Sequence, residues 1–387
     1  MTRSFDAIVI GLGGMGSAAL YHLARRGVCV LGLERFSIAH DRGSSHGETR
    51  IIRRAYFEHP DYIPLVESAF RHWHELEAER GVALFRRTGL MLAGEEDGVI
   101  ISGVRRAART HRIELDELTA SEARDRFDGL LPDDGTTVLF EPGAGLLMVE
   151  RCVAEHVRAA ESHGAIVKTG VDALEWGADG QAVRVQTRDE AYFADKLVLT
   201  AGAWSGHLLR SLGLPLEVRR KVVIWFSSPD KRYDIDSGFP IFGFDTGGSF
   251  FFGFPAMGEP AVKTCDHYGG QLVSDPSDLG RTLHPADVDH LSPFVRRFLP
   301  GVRSDVWRHS VCMYTMTPDE HFIIDRHPES DCVVFAAGFS GHGFKFASVI
   351  GSILADLVTS GRTHEPINFL GIRRDGLTRR GDPHAMG

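Results

Sequence analysis

Apolar positions along this chain recur at two periods, and the alternation predicts strands followed by helices. Residues 5–10 form a short β-branched apolar run, the pattern of a strand buried in a parallel sheet. Residues 17–26 place Ala18, Ala19, Leu20, Leu23 and Ala24 on one helical side; Gly27 stops that helix, and 28–33 restarts a strand ending at Glu34. Tyr62–Arg80 predicts an amphipathic helix through Leu65, Val66, Ala69, Phe70, Trp73 and Leu76. A strand is expected over 85–92, a short acidic helix over 114–127 and a longer helix over 149–163. Strands follow at 164–167 and 183–187.

Two later segments repeat the opening logic of an apolar strand running into small residues. One is 196–200, followed by Ala201-Gly202-Ala203 and a helical stretch at 205–212; the other is 332–338, followed by a helix over 347–357. Small residues at strand ends let a planar group lie against the backbone. Between them, 216–226 and 239–255 are strand-like and rich in aromatics, 287–299 is helical, and 306–316 is again a strand. The fold class expected is α/β: a Rossmann-like nucleotide-binding domain with a second, α+β substrate domain on an antiparallel-rich sheet. The first would be discontinuous, taking 1–85, 143–215 and 320–387, and the second would take 86–142 and 216–319.

The chemistry begins where the first strand ends. Gly11, Gly13 and Gly16 match G-x-G-x-x-G, with Gly14 inside it. The first glycine turns tightly, the second lets backbone approach a pyrophosphate, and the third lets helix pack on strand. Free N–H groups and the helix dipole favour an anion there. Glu34 falls where an acid accepts both hydroxyls of an adenosine ribose and repels a 2′-phosphate. The motif fits NAD and FAD alike.

Composition narrows the classes. The 387 residues carry 43% hydrophobic and 25% charged side chains and a formal charge of −9, which argues for two globular domains and against a general nucleic-acid binder. No run approaches a membrane span. Cys29, Cys152, Cys265, Cys312 and Cys332 have neither disulfide-framework nor zinc spacing, so no metal is expected. The glycine loop would be lost if the opening were a cleaved signal, so the chain is read as cytoplasmic. Among its 43 basic residues only Lys168, Lys196, Lys221, Lys231, Lys263 and Lys345 are lysine. Each lysine therefore raises a functional question. Arg50, Arg53 and Arg54 follow a Gly/Ser/His loop; on a helix, Arg50 and Arg53 would share a face beside the nucleotide crevice.

Three stretches carry a resemblance: Gly43-Ser44-Ser45-His46-Gly47-Glu48-Thr49-Arg50-Ile51-Ile52-Arg53, residues 312–322 beginning Cys312-Met313-Tyr314, and Gly338-Phe339-Ser340-Gly341-His342-Gly343-Phe344-Lys345-Phe346. Together with the opening motif, their order and spacing make the chain similar to the monomeric sarcosine oxidase family, which includes N-methyltryptophan oxidase, over nearly its whole length. The resemblance implies FAD held covalently through a cysteine thioether at the 8α position, with Cys312 as that cysteine. It also implies Arg50 and His46 beside the flavin, and Gly341, Gly343 and Lys345 among the cofactor's neighbours. Arg53 and Lys345 match the pair that grips a substrate carboxylate. Lys263 matches the lysine that promotes reaction with oxygen, and His267 and Tyr314 match residues lining the amine site. Phe252 stands where sarcosine enzymes carry tyrosine and Gly243 where they carry methionine, which implies room for a larger substrate.

The activity implied is oxidation of an N-methyl amino acid: sarcosine, oxygen and water give glycine, formaldehyde and hydrogen peroxide. N-methyl-L-tryptophan or another bulky N-alkyl amino acid is the alternative substrate. The partners expected are that small molecule and oxygen, with the protein a monomer engaging neither nucleic acid nor membrane. A nucleotide-binding protein without turnover has no use for Arg53, Lys263, Cys312 and Lys345 together. A dehydrogenase using a protein acceptor has little use for Lys263.

Overall fold

The computed structural model describes residues 4–179 and 182–377. The outermost parts of the expected nucleotide-binding segments, 1–3 and 378–387, lie outside the described residues. The strand Ser4–Ile10 is the centre of a parallel core, flanked by Val30–Glu34 and Ala191–Leu199. Ile166–Thr169 extends it beyond Val30–Glu34, and Ser330–Ala337 pairs with the second half of Ala191–Leu199. An antiparallel hairpin, Ala173–Asp179 with Ala182–Thr187, takes the first half of that strand, and Ile323–His327 closes the other side. Alternation sorts the two faces: Ala7, Val9, Val198 and Val334 pack under the helices Gly14–Arg25, Tyr62–Arg80, Val149–Ser162 and Ala347–Thr359. Ile8, Ile10, Leu197 and Val333 face the opposite core.

The second sheet is built on the long strand Glu217–Ser227. Val306–Met316 pairs along one edge; Ala261–Asp266 and Gln271–Leu272 share the other. Phe250–Phe254, Ile241–Asp245, Leu90–Gly94, Thr137–Glu141 and Asp116–Thr119 follow in that order. One face buries Ile224, Phe226, Phe242, Phe244, Phe251 and Val262 against Leu291, Phe294 and Phe298 of the helix Pro285–Phe298. Because side chains alternate, the opposite face carries Lys221, Trp225, Lys263, Cys265, Phe252, Cys312 and Tyr314. A small third sheet, Thr49–Ile52, Gly145–Met148 and Phe85–Arg87, abuts that face.

The structure departs from the sequence-based expectations locally, each time for a physical reason. Arg50 and Arg53 do not share a helical face: the β-branched run Thr49–Ile52 pairs as a strand with Gly145–Met148. The strand expected at 85–92 is two strands in different sheets, broken at Gly89 with φ +72°, where a Cβ would lie 2.2 Å from the Phe140 ring. The acidic helix expected over 114–127 shortens to Ala120–Arg126, because Thr119 forms a capping box with Glu122 and leaves Asp116–Thr119 extended. The helical stretch at 205–212 is two short turns, Ser205–Leu208 and Arg210–Leu212. A further helix, Val99–His111, has no counterpart in the periodicity reading.

Candidate active site

A cavity of about 420 Å³ runs along the ends of the first sheet's strands. Its walls include Gly11, Gly13, Gly14, Glu34, Arg50, Tyr314, Gly341 and Gly343. The third motif glycine, Gly16, lies beneath: a Cβ there would sit 1.8 Å from the Gly11 carbonyl oxygen. Gly11 has φ +85°. The helix Gly14–Arg25 has no side-chain N-cap, so its first N–H groups face the cavity, apart from Gly14 N–H, which donates to Ser45 Oγ at 3.1 Å. Glu34 accepts from Leu12 N–H (2.8 Å) and Phe36 N–H (2.9 Å), with His40 Nε2 at 3.3 Å. Burial pushes its carboxyl up, but His40 and the two N–H groups outweigh this and hold it below its ordinary value, keeping it ionised.

Outside the lining of that cavity, two cations share one aromatic ring. Arg53 Cζ lies 4.3 Å and Lys345 Nζ 5.3 Å from the centre of Tyr56, and both side chains are buried. Arg53 donates to both oxygens of Glu58 (2.8 and 2.9 Å) and to the Ala55 carbonyl. Lys345 Nζ donates to the His342 carbonyl at 2.7 Å. Burial, then the charge of Arg53, pulls the Lys345 amine down to about 7, against the opposing pull of Glu58. The Tyr56 hydroxyl meets His342 Nδ1, and His342 Nε2 faces the Glu320 carbonyl at 3.0 Å. Glu58, Tyr56 and His342 escaped the sequence reading. Only their places beside Arg53 and inside the 338–346 stretch could have suggested them.

Lys263 is fully enclosed. Its Nζ donates to the carbonyls of Gly47 (2.9 Å) and Thr49 (3.0 Å) and to Thr49 Oγ1, and lies 3.9 Å from the centre of Phe254. Burial, then Arg50, holds the amine well below its ordinary value. Arg50 is pinned by the Thr49 and Ser44 carbonyls, each 2.9 Å away. His46 bridges the Gly43 carbonyl (3.0 Å) and Ser310 Oγ (3.1 Å); burial, then Arg50, lowers its ring to about 3 and keeps it neutral. A third buried lysine, Lys221, donates to the carbonyls of His267, Tyr268 and Gly269 at 2.6–3.3 Å. The scarcity of lysine flagged it, but nothing in the sequence singled it out from the other five.

Cys312 is buried directly across the strand pair from Lys221, on the face that carries Tyr314. The thiol is not itself in the cavity wall, although Met313, Tyr314 and Thr315 are. Gly341, with φ +83°, is what lets the Tyr314 ring lie there, since a Cβ would come within 2.2 Å of it. The His267 ring stands 5.6 Å from that of Tyr314, and burial lowers it to about 3. One expectation needs correction. Gly243, paired with Phe252, does not leave open room: a Cβ there would lie 2.8 Å from both Leu92 and Phe250, whose ring already fills the space. Phe250, one of the aromatics of 239–255, is the residue that occupies that space.

A family model described as FAD dependent oxidoreductase matches residues 6–357. The chain belongs to that family. Its relatives include the monomeric sarcosine oxidase of Bacillus sp. (strain NS-129), 38% identical over 384 residues, covering 98% of this chain and 99% of that one. The N-methyl-L-tryptophan oxidase of Yersinia pestis (strain Pestoides F) is 37% identical over 357 residues, 91% of this chain and 94% of the relative. Among solved structures, NikD, an unusual amino acid oxidase essential for nikkomycin biosynthesis, superposes with a TM-score of 0.85 at 25% identity, covering 96% of this chain and 98% of that one.

As a member of the FAD dependent oxidoreductases, the chain takes FAD as its cofactor, and the cavity fits it. The uncapped helix end beside Gly13 and Gly14 suits the pyrophosphate, and ionised Glu34 suits the ribose hydroxyls. The close approaches at Gly16 and Gly341 leave no place for side chains that would fill the cradle. Among the described residues, no helix is long and apolar enough to cross a membrane.

Proposed function

We propose that this protein oxidises the secondary amine of N-methyl amino acids with oxygen, as in sarcosine + O2 + H2O giving glycine + formaldehyde + H2O2. N-methyl-L-tryptophan or another bulky N-alkyl amino acid is the alternative substrate. The observation that carries this reading is the pair of buried cations on Tyr56. Arg53 is paired with Glu58 and also feels Glu141, whose carboxyl burial pushes up, whereas Lys345 Nζ bonds only to a carbonyl, so the lysine's charge is left for a substrate anion. Bound FAD supplies a two-electron acceptor for the amine carbon and passes the electron pair to oxygen. Arg53 and Lys345 hold the carboxylate. His267 and Tyr314 border the amine, His267 as a neutral ring that does not repel it. Arg50 and His46 buttress the cofactor side, and Lys263 supplies the charge that oxygen needs. The protein acts as a monomer, with 1–85, 143–215 and 320–387 serving the cofactor and 86–142 and 216–319 the substrate.

Peroxide release measured over a panel of sarcosine, N-methyltryptophan and bulkier N-alkyl amino acids tests the reading and ranks the substrates. Absence of peroxide with all of them, while an artificial electron acceptor sustains turnover, would replace it with a dehydrogenase. Phe252 and Gly243 are proposed to set side-chain tolerance, Gly243 through Phe250. Gly243→Met should displace the Phe250 ring, which stands 6.2 Å from that of His267, and lower kcat/KM for bulky substrates about tenfold more than for sarcosine. Equal losses on both would place position 243 outside the determinant.

Cys312 is proposed to hold FAD covalently as an 8α thioether. Acid precipitation of the purified protein should leave a yellow pellet, fluorescent at the polypeptide's position on a denaturing gel. Cys312→Ala should release the colour to the supernatant. Free flavin from the wild type, with the variant behaving identically, would sink the claim.

A further inference from the structure

The peptide group joining Gly47 to Glu48 lies between an anion and a cation. Its N–H, on Glu48, donates to the Glu150 carboxylate at 3.1 and 3.2 Å, while its carbonyl, on Gly47, accepts from Lys263 Nζ at 2.9 Å. The preceding N–H, that of Gly47, donates to Glu150 at 2.6 Å. A peptide dipole is positive at its N–H and negative at its oxygen, so this group is aligned in the field of both charges.

We propose that Glu150 is the counter-ion of Lys263, acting through the Gly47–Glu48 peptide group to keep the ammonium charged and to fix the acceptors that aim it. Three further observations agree. The bend is one that the chain would not hold unaided, with φ +88° at Gly47 and +67° at Glu48, a left-handed conformation costly for a non-glycine residue. Glu150 sits in the first turn of Val149–Ser162, and Val149 N–H donates to the Glu48 carbonyl at 2.8 Å, which ties the bend to that helix. Among the described residues Glu150 forms no ion pair of its own, so its charge is uncommitted.

The other groups facing Lys263 do not replace it. Arg50 opposes the ammonium, and the Cys265 thiol and Thr49 hydroxyl are neutral. The Glu48 carboxylate is the larger favourable charge, ahead of Glu150, but it is engaged by the Trp225 indole N–H at 3.1 Å and by Arg308, whereas Glu150 has no cation of its own among the described residues. The Trp225 and Phe254 rings complete the enclosure. Glu150 is thus a positioning residue, not one that touches substrate or oxygen.

The consequence for oxygen rests on the role proposed above for Lys263; the counter-ion assignment does not. Six lysines make the test direct: holoenzyme labelled with [ε-13C]lysine gives few signals, and Lys263 is assigned by its loss in Lys263→Met. Glu150→Gln keeps the size and one acceptor but removes the charge. The Lys263 midpoint should fall by about one pH unit, a tenfold change in the ammonium-to-amine ratio. The pH profile of the oxygen rate constant should move with it. An unchanged midpoint in the folded variant overturns the proposal. Should Glu150→Gln fail to fold, Glu150→Gln with Lys263→Met decides. Recovery of folding is expected once the unbalanced buried charge is gone, and no recovery overturns the proposal. Normal reoxidation of Lys263→Met alone would remove the oxygen role while leaving the titration result standing.

Discussion

Lys263→Met should leave anaerobic reduction of the enzyme by substrate nearly intact while its reaction with oxygen slows by about 100-fold or more. The two half-reactions need different things from the protein. Substrate oxidation needs the carboxylate oriented, the task proposed for Arg53 and Lys345. Reaction with oxygen places negative charge on a small neutral molecule, and a fixed cation lowers that barrier most in a dry site. Lys263 offers such a site: it is 2% exposed, bonded to three oxygens and flanked by the Phe254 ring. A lysine concentrates charge at one atom, where an arginine spreads it over a plane. Methionine keeps the volume, so a folding defect should be small. The sign of the pH dependence follows from the burial. In the proposed role the ammonium is the active form, and its midpoint is depressed, so the oxygen rate constant should fall as pH rises through that midpoint. Stopped-flow reoxidation reads both effects, and a rate near wild type would take Lys263 out of the mechanism.

Lys345→Ala should weaken carboxylate inhibitors and substrate by roughly 10- to 1000-fold, the usual cost of truncating a buried charged partner. Arg53 alone cannot compensate, because both oxygens of Glu58 already occupy it. Two further readings sharpen the test. With the Lys345 amine pulled to about 7, inhibitor affinity in the wild type should be flat below that pH. Above it, affinity should weaken by up to about tenfold per unit, as the ammonium is lost before the anion arrives. The Ala variant should lack this dependence. Well below that pH, Glu58→Gln should tighten the inhibitor instead, since the competing carboxylate loses its charge; the same loss lowers the Lys345 amine further, so the gain should disappear as pH rises. Inhibitor titration across pH checks all three, and an unaltered affinity in Lys345→Ala would mean that the lysine serves another purpose.

The nucleotide half of the site was legible in the sequence because its determinants are local. Strand, glycine turn, helix and terminal acid lie within thirty residues, and each glycine answers a short-range contact: Gly16 against the Gly11 carbonyl, Gly11 in its positive-φ turn. The face of the second sheet that carries Lys263 and Cys312 was legible only as residues matched to a family. Alternation indicates that Lys263 and Cys265 share a side, but not which side, because aromatics fill both faces of Phe250–Phe254 and its neighbours. A shared helical face for Arg50 and Arg53 is open in the sequence, since basic residues three apart suit that spacing. Their neighbours Ile51 and Ile52 instead favour pairing with Gly145–Met148, a partner nearly a hundred residues away.

By itself, then, the sequence determined a parallel nucleotide-binding sheet, a second aromatic sheet and the stock of unusual lysines, because periodicity and turn chemistry act over a few residues. Tertiary structure alone decided that Glu58 competes for Arg53, that Phe250 fills the space above Gly243, and that a carboxylate a hundred residues away faces Lys263 across one peptide group. Those relations depend on desolvation and on the meeting of strands far apart in the chain, and both arise only when the two sheets close on each other.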